Sequence, residues 1–87
     1  KAPYNKFQHT RNITHDSKSK VLGVGLEGQF LYSIDTNKKF ITHDLVQNRN
    51  VIESNIQSTP VSLQLNMDLK RAFVGCENGD IVIYDLG

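Results

Sequence analysis

The stretch that decides the fold is Ala72-Phe73-Val74-Gly75-Cys76-Glu77-Asn78-Gly79-Asp80-Ile81-Val82-Ile83-Tyr84-Asp85-Leu86. Two runs rich in β-branched and aromatic residues flank the polar tetrapeptide Glu77-Asn78-Gly79-Asp80. Such side chains fit a pleated, half-buried surface, and Asn-Gly supplies the positive-φ positions of a type I′ turn. The reading is a hairpin of residues 72–76 with 80–85. Outward from it lie further runs of the same kind: Val21-Leu22-Gly23-Val24-Gly25-Leu26, Phe30-Leu31-Tyr32-Ser33-Ile34, Phe40-Ile41-Thr42-His43, Val51-Ile52-Glu53 and Val61-Ser62-Leu63-Gln64-Leu65. Each is short and bounded by Gly, Asn, Asp or Pro, and Pro60 stands at a strand entrance where its missing N–H is tolerated. No window repeats apolar residues at i, i+3, i+4, i+7, so the sequence predicts an all-β chain.

An internal repeat turns these strands into an architecture. Sliding the sequence by 41 positions lays residues 20–45 over 61–86 without a gap, with four of 26 pairs identical. Identity that low carries little; the shared order of strand, acidic turn, strand, Asn turn, strand and Asp-Leu carries more. A competing register matches residues 21–25 to 72–76 and needs a one-residue slip before Asp35. A repeat of about 40–45 residues with four short strands has the period of a propeller blade. In each copy the inner strand is 21–26 or 61–65, the second 30–34 or 71–76, and the third 39–45 or 80–86. Residues 50–54 form the fourth strand of the first copy only.

Residues 72–86 resemble the second half of a WD-repeat, which reads small-apolar-x-Gly-x-x-Asn/Asp-Gly-x-Ile-x-Ile-Trp-Asp-Leu. Tyr84 stands at the Trp position and Asp85-Leu86 match. The earlier copy departs from the pattern, with His43 at the aromatic position and Lys38 opposite Gly79. No Gly-His pair opens the second copy; His15-Asp16, or His9, is the nearest candidate before the first. Residues 60–86 are also similar to the lethal-giant-larvae and tomosyn propellers, which engage the membrane-fusion machinery, and to actin-interacting propellers. The resemblance implies part of a β-propeller, about two blades of four short antiparallel strands. Residues 20–60 would be one blade and 61–87 an incomplete next blade lacking its fourth strand. Residues 1–19 would be a basic arm or the end of a preceding blade.

Composition narrows the function. The chain has 87 residues, 10 Lys and Arg against 9 Asp and Glu, one Cys and no Trp. Its first 20 residues hold Lys1, Lys6, Arg11, Lys18 and Lys20 against Asp16 alone. No run approaches the ~18 apolar residues of a membrane span, and residues 1–10 contain no apolar signal-peptide core. A single cysteine favours a reducing compartment, cytoplasmic or nuclear.

Motifs for chemistry have plainer readings. His15-Asp16 and His43-Asp44 are strand-type neighbours that point to opposite faces, and Asp44 reads as a turn aspartate. Cys76 has no adjacent cation to lower its pKa. Three scattered histidines and one cysteine make no zinc signature. Gly23-x-Gly25-x-x-Gly28 fits a dinucleotide pattern but lacks the helix whose N-terminus would hold phosphate. Asn12-Ile13-Thr14 is a glycosylation sequon at odds with the cysteine count. Thr10, Thr14, Ser17 and Ser19 lie among basic residues, where phosphorylation is chemically open. No catalytic residue, metal ligand or cofactor is assigned.

What remains is surface. In propellers the loops between second and third strands, and between fourth and next first strands, emerge on one rim, where WD-repeat proteins hold other proteins. By that resemblance the partner-binding residues are Asp35, Thr36, Asn37, Lys38, Gln57, Ser58, Thr59, Glu77, Asn78 and Asp80. The expected partners are other proteins in a multi-subunit complex and the remaining blades of the same protein. One alternative is a propeller that binds nucleic acid or an anionic membrane through Lys6, Arg11, Lys18 and Lys20. Another is a free-standing small β-barrel.

Overall fold

The computed structural model describes residues 7–16 and 18–87. It holds seven strands: β1 (Val21–Glu27), β2 (Phe30–Asp35), β3 (Lys39–Asp44), β4 (Arg49–Asn55), β5 (Pro60–Asn66), β6 (Arg71–Cys76) and β7 (Ile81–Asp85). They form two antiparallel meanders, β1-β2-β3-β4 and β5-β6-β7, and no helix occurs among the described residues. The all-β reading holds, with four strands in the first copy and three in the second. No ladder joins the sheets, so they are open layers and not a barrel.

The repeat is visible in the ladders to the residue. β2 and β3 pair as Phe30↔Asp44 through Ile34↔Phe40; 41 positions on, β6 and β7 pair as Arg71↔Asp85 through Gly75↔Ile81. β1 carries a bulge between Val21 and Gly23, and β5 carries the corresponding bulge between Pro60 and Ser62. These bulges relate β1 to β5 by 39 positions, which corrects the ungapped alignment. The two residues of difference sit in the hairpin loops: Gly28-Gln29 joins β1 to β2, whereas residues 67–70 join β5 to β6. Gly28 is at φ 58 and Lys70 at φ 54, so each loop uses one left-handed residue to turn.

The β6–β7 turn also differs from expectation. Gly79 lies at φ 96 while Asn78 is not in the positive-φ region. Gly79 N–H donates to Cys76 O at 3.1 Å and Cys76 N–H to Asp80 O at 2.8 Å. This is a three-residue loop closed by a left-handed glycine, not a two-residue I′ turn.

The sheets pack face to face. Gly23 and Gly25 of β1 face β5; a Cβ on Gly25 would lie 2.8 Å from Leu65, and one on Gly23 3.4 Å from Leu63. The missing side chains let the leucines of β5 seat on the β1 backbone. Beside them Tyr32, Ile34, Phe40, Ala72 and Val74 form the buried core, with Leu63, Leu65, Val82 and Tyr84 packed against it. Phe40 stacks on Tyr84 with ring centroids 4.6 Å apart, and on Tyr32 at 6.0 Å.

This contact is head-to-tail. Leu63 and Leu65 correspond by the bulges to Val24 and Leu26, and Ala72, Val74, Val82 and Tyr84 correspond to Leu31, Ser33, Ile41 and His43. Strand alternation places all of those counterparts on the first sheet's outer face. One type of face therefore meets the other type across the interface. The unmatched faces are left at the two sides of the molecule, where Val24 is 60% and Ile81 68% exposed.

Because a Cβ at Gly25 would lie 2.8 Å from the Leu65 side chain, Gly25→Val is expected to lower stability in urea unfolding by about 1–3 kcal/mol. Leu65→Ala in that background should recover part of the loss. Additive losses would show that the two positions do not share the contact.

Candidate functional site

The polar turns converge at one end of both sheets. Asp35 begins the β2–β3 turn: its Oδ1 accepts the N–H of Asn37 at 2.8 Å and of Lys39 at 3.0 Å. Lys38 occupies the left-handed position at φ 65, where the second copy has Gly79. That conformation costs a non-glycine residue about 1–2 kcal/mol, which the Asp35 bonds offset. Asn78 organises the other turn, its Oδ1 accepting Asp80 N–H at 3.1 Å.

Backbone bonds tie the turns together. Lys38 O accepts Ile56 N–H at 2.7 Å, and Thr59 O accepts Glu77 N–H at 2.9 Å. The β4–β5 linker is thereby strung between the two turns. Lys20 joins the same end, its O accepting Thr36 N–H and its N–H donating to Thr36 Oγ1, both at 2.9 Å. Asn37 Nδ2 donates to Ser19 Oγ at 2.6 Å.

Of the ten rim residues expected from sequence, Thr36, Asn37, Lys38, Gln57, Glu77, Asn78 and Asp80 are exposed, and Ser58 and Thr59 half-buried. Asp35 is 1% exposed, so its carboxylate supports the turn from inside and is not presented outward. The rim is polarised, with Lys20 and Lys38 at the first turn and Glu77 and Asp80 at the second.

Beneath the first turn lies a cluster that pattern-reading did not assemble. His15 Nδ1 is 2.7 Å from Asp35 Oδ2, and His15 Nε2 is 2.7 Å from Ser33 Oγ. The order Asp–His–Ser is that of a hydrolase relay, yet Ser33 is buried, 5% exposed, where a relay needs its hydroxyl open to a substrate. The arrangement fastens the N-terminal segment across β2. Arg11 adds a second clasp, Nη2 donating to Leu45 O at 2.8 Å. Of the other arm residues, Lys18 and Lys20 are exposed, and Lys6 lies outside the described residues, as does Ser17. The only sequence signal for the cluster was His15 itself, the candidate opening histidine, 18 and 20 positions from its partners.

Other singled-out residues have structural partners. His43 Nδ1 is 2.8 Å from Asn50 Oδ1, while Asp44 Oδ1 accepts the N–H of Val46 at 2.9 Å and of Gln47 at 3.0 Å. Asp85 Oδ1 accepts Gly87 N–H at 3.1 Å, repeating the Asp44 turn. Cys76 is a buried free thiol. A scan against family models and searches of curated proteins and of solved structures found no match.

Burial by itself would raise the Asp35 carboxyl; hydrogen bonds from His15, Lys39 N–H and Asn37 N–H, with the His15 charge, outweigh it and hold its pKa below the usual carboxylate range. A carboxyl lowered on folding contributes stability that is present above its unfolded pKa and lost as pH falls through its folded one. Asp35→Asn should therefore cost about 1–3 kcal/mol at pH 7. In urea unfolding, its deficit relative to wild type should narrow below about pH 4. A deficit independent of pH would mean that folding does not lower the Asp35 pKa.

Proposed function

We propose that this chain is part of a WD-repeat-like β-propeller that serves as a non-enzymatic scaffold for protein–protein interaction. Residues 20–60 supply one blade and 61–87 three strands of the next. It works in a cytoplasmic or nuclear multi-subunit complex, beside further blades of the same protein. The head-to-tail contact between the sheets supports the first half of this reading, because a heterologous interface repeats and forms a ring when its rotation closes. Propellers close with about 4–8 such sheets.

The observation that carries the second half is the convergence of three exposed loops at one end, tied by the Lys38–Ile56 and Thr59–Glu77 backbone bonds. Loops fixed at constant spacing by a rigid sheet are the usual means by which such folds hold partners. The unpaired, buried Cys76 accords with a reducing compartment.

Placing a photocrosslinking residue at Asn37, Gln57 or Asn78, and at Asp68 on the opposite end, tests the reading in cells. Discrete protein adducts from the three rim positions, absent from Asp68 and stable to added salt, are expected. Equal adducts from Asp68 would remove the rim from the account. Nucleic-acid or lipid adducts whose yield falls steeply with salt would favour the basic segment instead.

A further inference from the structure

The β6–β7 loop contains the ingredients of a reaction that needs no enzyme. Asparagine is a thermolabile residue. Ahead of glycine its side-chain amide is open to the next peptide nitrogen, because no Cβ obstructs the approach. Of the eight asparagines in the chain only Asn78 precedes a glycine. Asn78, Gly79 and Asp80 are all exposed, so water reaches the loop. A Cβ built on Gly79 would meet no atom within 4 Å, so no neighbour shields the position.

Each group that the reaction uses is engaged in the folded loop. The nucleophile is Gly79 N, whose N–H donates to Cys76 O at 3.1 Å. The electrophile is Asn78 Cγ, and one residue holds both polar atoms attached to it. Asn78 Oδ1 accepts Asp80 N–H at 3.1 Å, and Asn78 Nδ2 donates to Asp80 Oδ2 at 3.1 Å. Ring closure requires Gly79 N to shed the proton that Cys76 O binds, and Nδ2 to leave the Asp80 carboxylate. The reacting atoms must also be free to reach near-attack geometry. The hydrogen bonds of the loop oppose every one of these movements. The β2–β3 turn supplies the contrast. There Asn37 is followed by Lys38 at φ 65, whose N–H bonds Asp35 O at 3.2 Å as Gly79 N–H bonds Cys76 O. A side chain on that next residue obstructs the attack, so of the two matched turns only the second is chemically labile.

We propose that Asn78 is a self-modification site that the folded loop keeps shut and that reacts when the loop opens. On opening, Gly79 N loses its proton and bonds to Asn78 Cγ. The Cγ–Nδ2 bond breaks, and Nδ2 leaves as ammonia with that proton. Water then opens the cyclic imide. Cleavage between Gly79 N and Cγ gives aspartate; cleavage between Gly79 N and the Asn78 carbonyl carbon gives isoaspartate, whose main chain is one methylene longer. Either product sets a third carboxylate between Glu77 and Asp80, where like charges repel. Neither keeps the Nδ2 donor that met Asp80 Oδ2. The closed loop cannot remake that bond, so the change is a one-way record of opening.

The whole chain is incubated in mildly alkaline buffer, folded and in guanidinium, and the peptides containing Asn78 and Asn37 are followed by mass and isoaspartate content. In guanidinium Asn78 should convert while Asn37 stays intact. In the folded chain conversion at Asn78 should be at least about tenfold slower, because only transient opening frees the loop. Asp80→Ala deletes the bond to Nδ2 and leaves the Cys76 N–H bond to the backbone of residue 80. Folded, this variant should convert several-fold faster than wild type, with no change in guanidinium. If it does not fold, the wild type decides: the retardation at Asn78 should be no smaller than the protection of the Gly79 amide against hydrogen exchange. Equal rates in the two states, no conversion in guanidinium, or modification of Asn37 as fast as Asn78 would overturn the proposal. So would a folded Asp80→Ala variant that converts no faster, or a retardation smaller than the Gly79 protection.

Discussion

The structure depends on how closely β5 approaches β1. Gly23 and Gly25 present bare backbone toward the second sheet, and Leu63 and Leu65 lie directly over them. Beside that approach lies the aromatic layer, in which Phe40 stacks on Tyr84. Small residues on one strand and large ones on the next also make the two faces unlike. An interface built from unlike faces has direction, and direction allows a sheet to be added at either side without redesign.

Direction also explains why the first copy departs from the repeat pattern. Ser33, Asp35 and His43 occupy the places of Val74, Cys76 and Tyr84. In the second sheet that face meets the apolar layer of Tyr32, Ile34 and Phe40. In the first it meets the N-terminal segment, which brings His15 to Asp35 and Ser33. Buried polar groups are tolerable there because each has a partner; among the described residues no buried side-chain nitrogen or oxygen lacks one. The polar substitutions match what covers each face.

Most of the strand order was legible from period-two alternation and turn residues, and those signals are local. The β2–β3 and β6–β7 turns were legible too, since Asn37 and Asn78 mark turns by their own side-chain chemistry. What the sequence did not reveal is non-local. The His15 cluster joins an extended segment to β2 through side chains alone, with no periodicity to announce it. The 39-position offset of β1 was hidden because Leu22 aligns with Leu63 by identity, while the bulges align Val24 with Leu63. Leucine and valine are near-equivalent on a half-buried strand, so residue type cannot decide between the two registers. Asp35 looked like a surface turn residue for a similar reason: turn aspartates point outward or inward according to a partner that lies far away in sequence.

The exposed apolar side chains acquire a single physical cause on this account. Val24 and Leu26 occupy on the first sheet the places that Leu63 and Leu65 occupy at the interface, and Ile81 and Ile83 occupy on the second those of Phe40 and Thr42. They hold positions whose repeat counterparts face the other sheet, whereas scattered surface apolars would show no such correspondence. A monomeric surface strand is ordinarily guarded by lysine, proline or a bulge, and β7 contains none of these. Its acidic flanks, Asp80 and Asp85, disfavour an acidic neighbour but leave its apolar centre open.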